Sequence, residues 1–210
     1  QWSLVGSEMC IRDSSSFKDK VSMSNLCQEI TLPTTPIKGI DDPDGEIALC
    51  ILSAINVGAI GNLNELETLC DLSVRALDEI IELQDYPVKA AEVSTKSRRS
   101  LGIGYIGLAH YLAKNGVKYS DPKAWELVDR LSEAFQYYLL RASCDIAEEK
   151  GKCSAFDRTK YADGLLPIDH YKKEVDEIVV HKQRMAWETL RKDILTVSYT
   201  HLRAHETPLH

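Results

Sequence analysis

The sequence predicts an α/β protein. Two observations carry that expectation. Apolar runs rich in β-branched residues alternate with long amphipathic stretches, the pattern of strands interleaved with helices. The chain is 210 residues long, 44% hydrophobic and 27% charged, which suits one domain with a sizeable core.

The elements follow in order. "TLPTTPIKGIDDPDGE" (31–46) holds three prolines and two glycines and reads as a loop. "IALCILSAINVGAI" (47–60) is an apolar run that suits a buried strand leading into a helix start, and periodicity does not separate the two. "GNLNELETLCDLSVRALDEIIELQDY" (61–86) reads as an amphipathic helix capped by Asn62 or Asn64. Its expected apolar face is Leu66, Leu69, Ser73, Leu77 and Ile80, and Pro87 stops it. "SRRSLGIGYIGLAHYLAKNG" (97–116) reads as a strand entering a short helix that ends near Gly116. "SDPKAWELVDRLSEAFQYYLLRASCDIAEEKG" (120–151) is the clearest helix. Ser120 or Asp121 caps it, Pro122 sits in the first turn and Gly151 closes it. Its stripe is Leu127 or Val128, Leu131, Phe135, Tyr138 or Leu139, and Ala142. "YADGLLPID" is a turn, "HYKKEVDEIV" a helix and "AWETLRKDIL" a last short helix.

Composition excludes some functions. A net charge of −7 argues against nonspecific binding to nucleic acid or anionic membrane. No apolar run is long enough for a membrane helix, and "QWSLVGSEMCIRDS" lacks the basic end and apolar stretch of a signal peptide. The six cysteines, Cys10, Cys27, Cys50, Cys70, Cys144 and Cys153, form no C-x-x-C pair and have no histidine at metal-ligand spacing. They read as cytoplasmic thiols, with no metal site expected.

Both ends differ from the middle. "QWSLVGSEMCIRDS" (1–14) and the residues from 196 to 210 show no sustained period, and both resemble translated library-adaptor sequence. The expectation is a natural segment over 15–195 between two non-native flanks.

Several motifs have a plain structural reading. Gly102, Gly104 and Gly107 in "GIGYIG" fit G-x-G-x-x-G, but "STKSRRS" before them is no apolar strand and no second strand follows. Close packing of a strand turning into a helix is the preferred reading. Arg98 and Arg99 suit a solvated basic patch better than a phosphate site. Glu65, Glu67 and Asp71, and Glu148 with Glu149, suit solvated helix faces. Cys70 and Cys144 read as packing residues, and nothing marks Cys153 as reactive. Tyr137 and Tyr138 point about 100° apart on a helix and suit core and surface roles.

"SNLCQEI" (24–30) is different. Asn25, Cys27 and Glu29 occupy alternate positions, so an extended backbone sets an amide, a thiol and a carboxylate on one side. A carboxylate can act as general base, an amide can hold a hydroxyl, and a thiol can be nucleophile, redox group or hydrogen-atom donor. Spacing leaves a core strand and a reaction centre both open. A cysteine protease would need a histidine base, and His110, His170 and His181 form no such signature.

The stretch "SNLCQEITLPTTPIKGIDDPDGEIALCILSAINVGAI" closely resembles the active-site segment of the large, catalytic subunit of class I ribonucleotide reductases. The resemblance continues collinearly through "LQDYPVKAA", "RRSLGIGYIGLAHYLAKNG", "SEAFQYYLLRAS", "LLPIDHYKK" and "WETLR". It implies a helix-rich fragment of a ten-stranded α/β barrel whose reactive cysteine sits on a loop threading the centre. It also implies reduction of ribonucleoside diphosphates to 2′-deoxyribonucleoside diphosphates for DNA synthesis. Substrate would lie along Asn25, Leu26, Cys27, Gln28 and Glu29. Cys27 becomes the thiyl radical that takes the ribose 3′ hydrogen, Glu29 the base on the 3′ hydroxyl, and Asn25 a ligand of the sugar hydroxyls. Cys50 stands as one of two cysteines that reduce the 2′ carbon and end as a disulfide.

The resemblance further implies a radical-generating small subunit carrying a metal and tyrosyl radical, a thioredoxin or glutaredoxin reductant, ATP and dNTP effectors, and a homodimer of the full large subunit. No cofactor is expected within this piece. The partner of Cys50 and the effector sites are expected upstream, and the radical-relay tyrosines, a nucleoside-phosphate loop and a dithiol tail downstream. The piece alone is therefore expected to be inactive. A cobalamin-dependent reductase shares the Asn–Cys–Glu logic. The alternatives are an NAD(P)-dependent oxidoreductase built on Gly102–Gly107 and a non-enzymatic helical interaction domain.

Overall fold

The computed structural model describes residues 18, 19, 21, 32–170 and 183–200. The stretch Asn25–Glu29, most of the flanks, and nearly all of the helix expected over 170–179 lie outside the described residues. Chain order is β1 (Ile51–Asn56), α1 (Glu65–Leu83), α2 (Lys89–Arg98), β2 (Leu101–Ile106), α3 (Leu108–Lys114), α4 (Pro122–Lys150) and α5 (Trp187–Thr200). Three short 3₁₀ turns, Phe156–Arg158, Lys160–Asp163 and Pro167–His170, join α4 towards α5.

β1 and β2 pair in parallel, with Ile51 opposite Leu101 and Asn56 opposite Ile106. Parallel strands need a long crossover, which α1 and α2 supply. The apolar run at 47–60 thus resolves as strand, then a turn. Helix begins only at Glu65.

Helix α1 is sandwiched, and that shifts its buried stripe. Leu66, Cys70, Val74, Leu77 and Ile81 are buried, while Ile80 is exposed. Ser73 faces the sheet, its Oγ 3.1 Å from Ser53 Oγ. Cys70 faces α4, with Sγ 4.0 Å from the Phe135 carbonyl oxygen. Burial on two sides moves the centre of the stripe about one position from the face expected for one-sided packing. Neither asparagine caps α1 with its side chain. Asn64 is already in helical conformation. Glu65 Oε1 instead accepts from the amides of Gly61 and Asn62 at 3.1 and 3.2 Å.

Helix α4 matches expectation closely. Pro122 stands in its first turn, Gly151 closes it at φ 96°, and Leu131, Phe135 and Ala142 are buried. Its 29 residues span about 43 Å and serve three cores, the smallest being Ala142 and Ile146 against Val74 of α1. The first holds Ile55, Leu66, Leu112, Leu131 and Phe135. The second holds Cys144, Leu166, Trp187, Leu190, Ile194 and Val197. Tyr137 and Tyr138 are both half-buried and divide between these cores, Tyr137 edge-on to Trp187 at 5.4 Å. Helix α5 runs to Thr200, past the end expected at 195, because Val197 continues its buried face.

The junction of α4 and α5 is fastened by a buried charge. Glu133 Oε1 accepts from the backbone amides of Arg184 and Met185 at 2.7 and 3.1 Å and from Trp187 Nε1 at 3.1 Å. Burial pushes this carboxyl up. The hydrogen bonds from Arg184 and Trp187 outweigh burial and hold it below its ordinary value.

Two expectations need correcting. Helix α2 arises where the sequence pattern marked no element. Its serine, threonine and valine content makes a weak helical signal, and apart from Arg98 its buried residues, Ala90, Ala91, Ser94 and Thr95, are small. Arg98 and Arg99 are not a solvated patch. The Arg98 side chain is only 1% exposed and pairs with Asp19 at 3.0 Å and Glu46 at 2.7 Å. Arg99 takes a left-handed conformation at φ 47° to close α2, and bonds Asp78 of α1 at 2.7 Å. Acidic partners on other elements drew both guanidiniums inward, and nothing near them in sequence signals those partners.

Candidate active site

The two faces of the strand pair are unlike. Ser53, Ile55, Ile103 and Tyr105 turn towards the helices, and the last three pack in or against the first core. Alternation sends Leu52, Ala54 and Asn56 of β1, and Gly102, Gly104 and Ile106 of β2, to the other face. Among the described residues no helix covers that face. Leu52 is 63% exposed and Ile106 56%.

Cys50 belongs to the uncovered face. It stands immediately before β1, and its thiol is half-buried and in no disulfide. A Cβ built on Gly102 would lie 3.0 Å from Cys50 Sγ and 2.6 Å from Leu52 Cδ2. The bare α-carbon of Gly102 therefore leaves the space that the thiol and Leu52 occupy. A cavity of about 900 Å³ reaches Cys50 and Gly102 but is walled mainly from the helix side, by Val74, Ile103, Leu139 and Ile146 among others.

The other end of the strands is shaped by two glycines. Gly107 sits at φ 79°, between β2 and α3. A Cβ there would collide with Asn56 Oδ1 and approach the Gly58 nitrogen at 3.0 Å. Asn56 Oδ1 accepts from the Gly58 amide at 3.1 Å, so the turn after β1 nests against the turn after β2. Lys114 donates to the carbonyls of Gly58 and Ile60 at 3.2 and 2.8 Å. This geometry removes the dinucleotide reading. A phosphate-binding fingerprint needs its glycines in the turn after a strand, but Gly102 and Gly104 lie inside β2.

The segment 22–31, which carries Asn25, Leu26, Cys27, Gln28 and Glu29, lies outside the described residues, but its neighbours do not. Asp19 accepts from Arg98 at 3.0 Å and pairs with Arg158 at 2.7 Å. Burial raises the Asp19 carboxyl, and the two guanidiniums outweigh burial and bring it below its ordinary value. Downstream, Thr35 and Glu46 form a reciprocal backbone bridge, 3.0 Å in each direction, and Glu46 Oε2 also accepts from Arg98. Arg98 thus ties residue 19, before the segment, to residue 46, after it.

Among the described residues, the other cysteines behave as packing groups. Burial pushes the Cys70 thiol up to about 12 and the Cys144 thiol up to about 11. Burial also raises Cys153. Reactivity needs a thiolate, so none of the three is poised for chemistry.

The sequence model of the family described as "Ribonucleotide reductase, barrel domain" matches residues 9–203. The chain belongs to that family. It is 56% identical over 183 residues to the ribonucleoside-diphosphate reductase subunit alpha of Buchnera aphidicola from Schizaphis graminum, covering 86% of this chain and 24% of that protein. The Haemophilus influenzae subunit alpha is 58% identical over 174 residues, 83% of this chain and 23% of the relative. Ribonucleoside-diphosphate reductase 1 subunit alpha of Escherichia coli is 53% identical over 176 residues, 84% and 23%. The chain therefore spans about a quarter of the length of these reductase subunits. As a piece of a reductase barrel domain, its parallel strands and outer helices are what an α/β barrel requires. In such a barrel the face without helices is the interior.

Sequence reasoning named Cys50 and gave Gly102 a close-packing role, but did not place the two together. The signal was the two-residue spacing of Gly102 and Gly104, which in a strand puts both on one face. The dinucleotide pattern hid it.

Proposed function

We propose that the full-length protein reduces ribonucleoside diphosphates to 2′-deoxyribonucleoside diphosphates, and that this stretch supplies part of its sugar-facing centre. The supporting observation is the position of Cys50 on the helix-free face of a strand in a chain of the reductase barrel family. Cys27 serves as the transient thiyl that takes the 3′ hydrogen, Glu29 as base on the 3′ hydroxyl, and Asn25 as a ligand of the sugar hydroxyls. Leu26 and Gln28 complete the strip along which substrate lies. Proton removal at the 3′ hydroxyl eases loss of the 2′ hydroxyl as water. Cys50 and a second cysteine of the full subunit supply the two electrons. Two thiols become one disulfide, the 2′ carbon gains hydrogen, and one water leaves.

The radical originates on a separate small subunit that holds the metal and tyrosyl radical. Thioredoxin or glutaredoxin returns the disulfide to dithiol, ATP and dNTPs regulate the reaction, and the large subunit works as a homodimer in the cytoplasm. The alternatives are weaker. Gly102 and Gly104 inside β2 disfavour nicotinamide binding, and the family match disfavours a non-enzymatic helical module. Residues 1–14 and 196–210 are foreign flanks in this reading, and the piece alone has no turnover.

The test uses the full-length subunit with its small subunit. Cys27→Ser should abolish deoxynucleotide formation while substrate binding stays within about twofold. Cys50→Ser should abolish product from pre-reduced enzyme. Normal turnover by either variant would overturn that residue's role.

A further inference from the structure

The geometry points to Gly102 as a positioning residue for the Cys50 thiol. This rests on the proposed redox role of Cys50. Gly102 is not needed for a left-handed backbone, since it lies within a regular strand. What its missing side chain supplies is room. A Cβ would meet two groups, Leu52 Cδ2 at 2.6 Å and Cys50 Sγ at 3.0 Å. The two respond differently. Leu52 is 63% exposed and flexible at its tip, so its methyl can swing away. Cys50 Sγ is one bond from its Cβ, and that Cβ is fixed by a backbone that enters the sheet at once, Ile51 N donating to O of Ser100, just before β2, at 3.2 Å. The sulfur can yield only by rotating about its side-chain bond, away from its present direction.

Direction is what the thiol's chemistry needs. To reduce the 2′ carbon, Cys50 and its partner thiol are oxidised to a disulfide while the carbon–oxygen bond breaks and water leaves. Disulfide closure tolerates Cβ separations only near 3.5–4.5 Å with a fixed dihedral range. Displacing a reacting atom by a fraction of an ångström costs rate without touching the groups that bind substrate. Gly104 is the internal control. It lies on the same strand and the same face, and a Cβ there would meet nothing within 4 Å.

The experiment uses the full-length subunit, pre-reduced and mixed with small subunit and a ribonucleoside diphosphate, with no external reductant. Gly102→Ala should lower the single-turnover rate about tenfold with KM within twofold. Gly104→Ala and Leu52→Ala should stay within twofold of the parent. The double variant Leu52→Ala/Gly102→Ala removes the methyl clash and keeps the sulfur contact, so it should remain as slow as Gly102→Ala. Alkylation of Cys50 by iodoacetamide, followed by peptide mass spectrometry, should change in rate by at least threefold in both Gly102 variants. A parental rate for Gly102→Ala overturns the proposal. So does equal loss in Gly104→Ala, and so does full rescue by Leu52→Ala. If Cys50→Ser retains turnover, the redox reading fails separately, and an unchanged alkylation rate then overturns the positioning role as well.

Discussion

Replacing Arg98 by methionine should loosen the loop that leads into β1. The Arg98 guanidinium is 1% exposed and bonds Asp19 at 3.0 Å and Glu46 at 2.7 Å. Breaking a buried ion pair by removing one partner costs about 3–5 kcal/mol, since the other charge stays buried. Here Arg158 remains at 2.7 Å from Asp19 and 3.8 Å from Glu46, and Asp19 is partly solvated, so the low end applies, about 3 kcal/mol. At roughly 1.4 kcal/mol per tenfold, that is about a hundredfold in a local opening constant. The amides that report it are Glu46, which donates to Thr35 O at 3.0 Å, and Ile47, which donates to Ala90 O at 3.1 Å. Hydrogen–deuterium exchange of the full-length subunit, read on peptides covering 32–50, should show these amides exchanging faster by that factor. Peptides from the middle of α4 should be unchanged. Parental exchange over 32–50 would refute the idea that Arg98 clamps the loop. Equal acceleration in α4 would mean a global loss of stability instead.

Two further outcomes follow from buried groups. Glu133→Gln should destabilise the α4–α5 junction by about 2 kcal/mol, the worth of hydrogen bonds to a charged acceptor. The Glu133 carboxyl is held below its ordinary value of 4.5, so the stability it adds is complete above that pH and fades as pH falls through the lower folded value. Urea melts of parent and variant should converge in acid, and a gap that widens below pH 4 contradicts this. Cys70 and Cys144, pushed up to about 12 and about 11, should resist alkylation in the native full-length subunit at pH 8 and react fully in urea. Rapid native labelling of either would show that its burial is wrong.

The parts legible in the sequence were those decided locally. Pro122, Gly151 and a sustained 3.6-residue stripe delimit α4 within the chain itself, and they placed it correctly. The strand and short helix around Gly107 were legible for the same reason. What escaped was decided by partners distant in sequence. Arg98 and Arg99 look like a surface patch until Glu46, Asp19 and Asp78 approach from other elements. The face of α1 was displaced because α4, some 60 residues away, covers one flank of it. Glu133 carries no sequence sign of burial, because its donors lie about 50 residues downstream. On the site, alternation in "SNLCQEI" raised the chemical possibility, and the collinear family pattern gave it a reaction.

The uncovered face of the strands fits a chain that spans about a quarter of its relatives' length. Parallel sheets are stable when both faces are buried, because each strand is apolar on both sides. Here one face has its helices, and the other presents Leu52, near Cys50, and Ile106, at the far end of β2, to solvent. Covering it with more helices would bury the thiol in an inert layered fold. Closing it with further strands, as the reductase barrel does, buries the same apolar side chains around an enclosed centre. The thiol then faces inward while remaining reachable by whatever threads that centre. The bare α-carbon of Gly102 on this face fits that arrangement, because it leaves the space beside the Cys50 thiol unfilled. Stability and chemistry are therefore met by one act of closure.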